Sequence, residues 1–417
     1  MRVQLSGPER RERRSTVVRG WGGACVALAL LAVAGPARAQ VDVSTTTTYY
    51  RESGGGLKHQ AVTPNLRIRG TVQDVVTVSA GWEADIVSGA SVAVVDAPSG
   101  EVDAITSATQ WDDMRNTVTG GVGVRSDFAS LSASYTYGTE SDYRSHAFTL
   151  TGRAELFERN TTVELSYGRG FDQVCNLLQP RAQEAVDRQR MPGSDGCFGG
   201  EDRETLDLDI HTLQAGWTQA WAPIFATQLT VTGQVLNGYQ GNPYRSVWLG
   251  RAAAQEHHPE NRVRYAAGLG MRLWLQPLRG ALQLFGRVYR DTWDILSATA
   301  ELAWEQRLAE GLTVRVRGRY YNQTGAHFFS DDYAREPRGQ YFTGDRELSP
   351  MSSWLVGGHI AYDIPPDDEG EVGIFTAFRL VAKFDWLKYD FRDFRYGRVA
   401  VPNDWGLAAT LSLQAQF

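Results

Sequence analysis

The feature of this sequence that most constrains its fold is a two-residue alternation of apolar and polar side chains along most of the chain. Successive side chains of a β-strand point to opposite faces of the sheet, so each alternating segment predicts a strand with one apolar face. The same pattern recurs near residues 129–137, 263–273 and 312–320. It is clearest at the end of the chain, in Trp405, Leu407, Ala409, Leu411, Leu413, Ala415 and Phe417.

The alternating segments are long, and the connections between them alternate between short and long. Many predicted strands reach roughly 10–15 residues, whereas strands of soluble proteins cluster near five or six. Short connections such as Gln73-Asp74 and Glu158-Arg159 alternate with long ones such as 175–203 and 330–350. Outer-membrane barrels have short periplasmic turns and long external loops. We therefore predict an all-β fold, a transmembrane antiparallel up-and-down β-barrel of about sixteen strands, with fourteen as the alternative.

An even number of strands returns the C-terminus to the periplasmic side and puts every long loop on the external side. In the eighth strand the alternation changes phase between Ile210 and Leu213, which predicts a β-bulge there. The predicted strands lie near residues 41–52, 60–72, 75–88, 113–125, 128–138, 142–157, 160–173, 204–221, 225–239, 261–276, 281–290, 294–308, 312–326, 351–364, 371–388 and 403–417.

The N-terminal segment is predicted to direct export. Several arginines precede a short apolar stretch at residues 24–33, and Ala37-Arg38-Ala39 has the small-x-small form of a signal-peptidase site. The stretch is too short to cross ~30 Å of hydrocarbon as a helix. We predict a cleaved signal peptide over residues 1–39, followed by a single barrel with long external loops over 40–417. Export permits disulfides, so Cys175 and Cys197 are predicted to pair.

The charged residues of the strands alternate in phase with the small polar ones. An Arg or Lys that faces lipid at mid-depth costs about 2–4 kcal/mol, so the lumen is where these side chains are tolerated. Two interpretations stay open: a pore wall that sets ion or solute preference, or salt bridges that fill a mostly closed barrel. The same phase assigns Asp207 and Asp209 to the lumen. The candidate lumen-lining residues are Arg262, Arg264, Arg272, Arg315, Arg317, Arg319, Arg379, Glu301 and Glu305.

No part of the sequence carries a recognisable catalytic or cofactor-binding pattern. A net charge of −6 and a pI near 5.7 argue against a nucleic-acid partner. Phosphate-binding, dinucleotide-binding, serine-hydrolase and zinc-protease motifs are missing from the sequence. The polar run Glu256, His257, His258 and Glu260 is interpreted as a solvated external loop rather than a metal site. We predict no enzymatic activity, no cofactor and no metal ion.

Several local strings resemble an uncharacterised family of Gram-negative outer-membrane barrels, the domain of unknown function thirty-five seventy. They are residues 82–91 (WEADIVSGAS), 241–245 (GNPYR), 258–264 (HPENRVR), 289–295 (YRDTWDI) and 319–324 (RYYNQT). The resemblance implies a barrel in the bacterial outer membrane. It implies no known activity, substrate or catalytic residue.

The expected function is a porin-like channel for passive diffusion of ions or small solutes, filtered by the charged lumen. The alternative is a non-conducting barrel that acts as a surface scaffold or receptor through its external loops, and a membrane-embedded enzyme is third. The expected partners are outer-membrane lipid and the barrel-assembly machinery. The C-terminal strand, with Leu411, Leu413 and Phe417, resembles the signal that this machinery reads.

Overall fold

The computed structural model describes residues 39–417 except for several connecting segments. The omitted residues are 55–56, 93–106, 141, 176–204, 243–245, 250–252, 331–332, 334–338, 365–375, 393, 397–398 and 401–402. The predicted signal peptide and Cys197 lie outside the described residues, so both predictions stay untested. Among the described residues, no helix combines the length and the apolar character needed to cross a bilayer.

Sixteen long strands form one closed antiparallel barrel in which each pairs with the next, and the last, β20, closes the ring onto β1. This confirms the prediction of sixteen strands over fourteen. The barrel strands are β1 (Ala39–Gly54), β2 (Leu57–Val72), β3 (Val76–Val92), β4 (Ser107–Arg125), β5 (Ala129–Thr139), β6 (Tyr143–Leu156), β7 (Thr161–Cys175), β8 (Thr205–Ala222), β9 (Phe225–Gly238), β12 (Asn261–Leu275), β13 (Gly280–Asp291), β14 (Leu296–Ala309), β15 (Leu312–Gln323), β16 (Met351–Ile364), β17 (Ala377–Asp390) and β20 (Asn403–Gln416).

The remaining short elements lie in the connections. Two small hairpins occupy long external connections, and single 3-10 turns occur at Gln276–Leu278 and Arg346–Leu348. The hairpins are β10 (Ser246–Trp248) with β11 (Ala253–Gln255), and β18 (Arg395–Tyr396) with β19 (Val399–Ala400).

The tight periplasmic turns use residues that accept a left-handed backbone. Gln73 and Asp74 both have positive φ, at 54° and 57°, as expected for the central residues of a two-residue hairpin turn. Gly311 has a φ of 72° in the β14–β15 turn, and a Cβ atom there would meet the Asp363 carbonyl oxygen at 2.2 Å. Larger side chains at Gly311 would therefore strain this hairpin.

The outer face of the barrel exposes the apolar set of each alternating strand. Val316 is 56% exposed and Leu302 is 54% exposed, although both lie in the middle of long strands. An apolar belt of this kind is stable only in hydrocarbon, and a closed barrel leaves no unpaired strand edge there. Apolar side chains outside and charged ones inside are the pattern of outer-membrane barrels. The barrel therefore lies in the bacterial outer membrane.

Strand β8 departs from the sequence-based expectation. Its register against β7 is unbroken from Thr205 to Gln219, and the only shift against β9 falls between Ala220 and Ala222, so the predicted bulge between Ile210 and Leu213 is wrong. The strand keeps its phase and extends beyond the apolar belt, where its outer face can be polar.

The acidic residues of β8 consequently face outward. Asp209 accepts a hydrogen bond from Arg169 Nη2 at 3.1 Å, and Asp207 accepts one from Gln173 Nε2 at 3.3 Å. Both donors share the outer face of β7 with exposed Tyr167. The assignment of Asp207 and Asp209 to the lumen was therefore wrong, because the outer face of a strand becomes polar once it leaves the bilayer.

Candidate functional site

The lumen carries the candidate site residues. On each strand, the candidate lumen-lining residues alternate with exposed apolar side chains, so they face the interior of the barrel. The barrel strands β12–β17 form what we call the arginine wall, on which basic side chains outnumber acidic ones. Its lumen-facing basic residues are Arg262, Arg264, Arg272, Arg287, Arg307, Arg315, Arg317, Arg319, Arg379 and Lys383, and its acidic residues are Asp291, Glu301, Glu305, Asp363 and Asp385.

Ion pairs brace the middle of the arginine wall. Arg315 lies 3.2 Å from Glu301, and Arg317 lies 3.5 Å from the same carboxylate. Arg272 on β12 pairs with Glu305 on β14 at 2.7 Å, across the intervening β13. These contacts hold the guanidinium groups in fixed positions along the lumen. Arg379 pairs more loosely with Asp363 at 3.6 Å, near the periplasmic end.

Gly357 allows one of these pairs to cross a strand. Arg317 on β15 and Asp385 on β17 are both register partners of Gly357 on the intervening β16. The Arg317 guanidinium donates to Asp385 over this glycine, at 2.9 Å. A Cβ atom on Gly357 would meet the Asp385 carboxylate at 2.1 Å. The ion pair between Arg317 and Asp385 therefore requires a glycine at position 357.

The opposite side of the lumen is acidic. Counting along the closed strand order, β3–β7 lie directly across from β13–β17. On this acidic wall the carboxylates outnumber the arginines, and some are oriented by neighbours: Asn65 donates to Glu83 at 2.6 Å, and Thr63 donates to Asp85 at 2.6 Å. The carboxylates are Glu83, Asp85, Glu140, Asp142, Glu155, Glu164 and Asp172, and the arginines are Arg115, Arg125 and Arg153.

Glu140 lies in the external β5–β6 connection at the top of the acidic wall. Burial raises the pKa of its carboxyl group to about 7, Asp142 and Asp85 raise it too, and Arg115 lowers it. The Arg115 guanidinium lies over the Tyr143 ring, 5.2 Å from its centroid. This wall can therefore change its charge near neutral pH.

The described residues of the external β15–β16 connection, 324–330, 333 and 339–350, partly cover the external mouth, and we call them the mouth loop. The loop packs against lumen-facing side chains of β1, β16 and β17 in one buried apolar cluster. The mouth loop contacts the connection before β12 through Thr343, and β20 and β1 through Arg346. It therefore covers the arginine-wall side of the mouth. The cluster comprises Tyr50, Ala61, Trp293, Ile295, Ala326, Phe328, Phe329, Leu348, Met351, Leu355, Leu387, Tyr389, Phe391 and Phe394.

A buried ion network fastens one end of the mouth loop. Arg346 donates to Asp404 on β20 at 3.0 Å and to Glu52 on β1. All three side chains are almost completely buried, and the guanidinium carbon lies 5.1 Å from the Phe391 ring centroid. Burial lowers the pKa of Arg346 but the two carboxylates raise it further, so the net shift is upward and the side chain stays charged. We call Arg346, Glu52 and Asp404 the latch.

The other end of the mouth loop meets the external connection before β12. Glu256 accepts hydrogen bonds from Thr343 Oγ1 at 2.8 Å and from the Asn242 backbone at 2.5 Å. Phe328 packs against the His258 and Trp293 rings, at centroid distances of 5.3 and 5.0 Å, and those two rings contact each other at 5.2 Å. Glu256 and His258 are thus buried structural residues, so the interpretation of this run as a solvated loop was wrong for these two. His257 and Glu260 are exposed, as that interpretation expected. The described residues contain no group of side chains suited to a metal ion.

Sequence reasoning missed the latch, Glu140 and Gly357, because their partners come from distant strands or loops that no local pattern relates. Cys175 is fully buried and disulfide-bonded, and its predicted partner Cys197 lies outside the described residues. Leu411, Leu413 and Phe417 lie on the lipid-facing side of β20, and Leu411 and Phe417 are exposed there. Their role in barrel assembly stays a prediction, as does the absence of catalytic activity.

The family model described as "Protein of unknown function (DUF3570)" matches residues 24–374. The chain belongs to this family. Membership in DUF3570 confirms the resemblance found in the sequence. No curated protein matches the chain.

Solved structures with a similar fold are outer-membrane barrels. A bacterial polysaccharide outer membrane secretin is 10% identical, with a TM-score of 0.48, 91% of this chain covered and 98% of that one. OccD3 (OpdP) of Pseudomonas aeruginosa is 10% identical, with a TM-score of 0.40 and coverages of 90% and 91%. OprD of the same organism is 9% identical, with a TM-score of 0.41 and coverages of 90% and 95%. At these identities the similarity concerns the barrel fold alone.

Proposed function

We propose that this barrel is a passive channel for ions and small charged solutes across the outer membrane. The observation that carries the proposal is the opposition of the arginine wall and the acidic wall within one closed barrel. A sixteen-stranded barrel is wide enough to hold an aqueous channel. Opposed rows of fixed charge orient and select ions that pass between them.

Planar-bilayer recording of the purified barrel tests this proposal. Stable open steps and a reversal potential in a salt gradient are expected. Replacing Arg315, Arg317 and Arg319 by Gln removes three positive charges and leaves Glu301 less compensated, so anion preference should fall. The matched control is Arg290→Gln, because Arg290 lies on the outer face of β13 and is exposed.

Two outcomes would contradict the proposal. A folded barrel that inserts into the bilayer but shows no open steps would exclude passive conduction. Open steps with the same ion preference in the triple variant and in the wild type would exclude the arginine wall as the filter.

The second candidate is a non-conducting scaffold or receptor. The mouth loop favours it, because its buried apolar cluster covers part of the external opening. A scaffold of this kind would stay silent in bilayers whether or not the latch is intact. A channel would conduct, and its conductance would respond when the mouth loop is released.

A further inference from the structure

We propose that a groove on the lipid-facing side of β14–β17 and β20 binds one lipopolysaccharide molecule of the outer leaflet. An acyl chain of the lipid would lie in the apolar part of the groove, and Lys388 would contact a phosphate group. The groove lies outside the lumen, so the inference goes beyond the proposed channel and does not depend on conduction.

The apolar part of the groove encloses about 960 Å³ between β14 and β17. Its floor is a diagonal of small outward residues, Gly318 on β15, Gly358 on β16 and Ala382 on β17. Arg315 and Lys383 lie beneath this floor, on the lumen side of the same strands. A chain in such a groove makes more van der Waals contacts than a chain on a flat belt. The larger outward side chains around the floor are Leu302, Trp304, Val314, Val316, Val356, Ile360, Phe384 and Trp386.

The two glycines of the floor differ in what surrounds them. A Cβ atom on Gly358 would meet the Arg315 carbonyl oxygen at 2.2 Å, so the pairing of β16 with β15 requires a glycine there. A Cβ atom on Gly318 would meet no other atom within 4 Å. Packing within the barrel therefore does not require a glycine at position 318, and the space above it is open to the membrane.

Toward the external side the groove continues into a second hollow of about 520 Å³. Trp386 lines both parts, and Lys388 and Trp405 line the second. Lys388 is the register partner of Trp405 and lies near the external end of β17. An aromatic girdle accounts for tryptophans at this depth, but not for a lysine among them or for the small residues of the floor.

The charge of Lys388 is available to a ligand. The side chain is exposed and makes no ion pair among the described residues, although Asp390 lies only two positions further along β17. Asp404 also lines the hollow, but it is 2% exposed and accepts a hydrogen bond from Arg346, so its charge is compensated. An ammonium group at the membrane boundary attracts anionic headgroups. The groove thus changes from apolar to basic toward the external boundary, in the same order as the acyl chains and phosphates of a lipopolysaccharide.

Native mass spectrometry of the purified barrel in detergent micelles tests the site. The probe is deep-rough lipopolysaccharide, which keeps the acyl chains and their phosphates but lacks the long polysaccharide. One saturable lipid adduct is expected. Gly318→Leu should weaken its binding about tenfold or more, because the new side chain fills the floor without a clash inside the barrel. Lys388→Gln should weaken binding about tenfold, because a charge-assisted contact with phosphate is lost.

Each variant has a matched control. Gly120 on β4, far around the ring, also faces outward with no atom within 4 Å of a Cβ, so Gly120→Leu adds the same side chain elsewhere. Arg290→Gln removes an exposed outward charge near the external end of β13. Neither control should change lipopolysaccharide binding.

Three results would overturn the proposal. The first is lipopolysaccharide binding that survives Gly318→Leu or Lys388→Gln, or that falls equally in the controls. The second is binding of zwitterionic phosphatidylethanolamine as tight as that of lipopolysaccharide, which would refute the role of the Lys388 charge. The third is a wild-type dimer or trimer that Gly318→Leu dissociates, which would make the groove an interface between copies of the chain.

Discussion

Loss of Arg346 should release the mouth loop. The Arg346 side chain is 5% exposed, and its partners Glu52 and Asp404 are 3% and 0% exposed. Arg346→Gln would leave two buried carboxylates without their common counter-charge. Breaking a buried ion pair in this way costs about 3–5 kcal/mol. Since 1.4 kcal/mol is a factor of ten, the closed arrangement of the loop should lose roughly a hundred- to a few-thousand-fold in relative population.

Two assays on the same preparation measure this release. Limited proteolysis of the folded barrel should cut within the mouth loop faster in Arg346→Gln than in the wild type. Single-channel recordings should show a larger or more variable conductance, because the loop no longer covers the arginine-wall side of the mouth. The matched control is Arg51→Gln, which removes an exposed charge beside Glu52 and should change neither result.

A compensated variant separates the latch from general damage. Combining Arg346→Gln with Glu52→Gln and Asp404→Asn removes the uncompensated charges, and neutral replacement of a whole buried ion network is often tolerated. Proteolytic protection should return toward the wild-type level. Equal protection and conductance in Arg346→Gln and the wild type would refute the account of the latch.

Three further predictions concern the barrel wall. Gly357→Val should separate Arg317 from Asp385 and alter ion selectivity in bilayers, because its Cβ would occupy the position of the carboxylate. Burial raises the pKa of Glu140 to about 7, so the folded protein keeps a proton that the unfolded chain loses at lower pH. The free energy of unfolding, measured from about pH 5 to about pH 8, should therefore fall as pH rises through about 7. Glu140→Gln should flatten this decline. Val316→Arg should cost about 2–4 kcal/mol in a refolding titration into lipid, since it places a charge in the hydrocarbon.

The alternation of side chains was sufficient to predict the barrel, because every strand in the bilayer must show one face to lipid and one to the lumen. Arg315 and Arg317 could be assigned to the lumen on that ground alone. The alternation misassigned Asp207 and Asp209, because β8 continues past the apolar belt and its outer face meets water there. The alternation of apolar and polar residues shows which face of a strand points outward only where one face meets lipid and the other meets the lumen.

The mouth loop shows what local patterns could not supply. Arg346 lies in an irregular segment, and its partners Glu52 and Asp404 are 294 and 58 positions away in the chain. Only the closure of the ring brings β1 and β20 beside each other and beneath the loop. The latch, and with it the covering of the mouth, is therefore a property of the assembled barrel.

The most direct test of the central claim, that solute passes through the charged lumen, compares two neighbouring positions on β14. Thr299→Cys places a thiol in the lumen, and Ala298→Cys places one on the lipid-facing side. After reaction with a charged, water-soluble thiol reagent, the account predicts a changed single-channel conductance and ion preference for Thr299→Cys alone. Identical behaviour of the two modified variants, or a change in Ala298→Cys only, would contradict it.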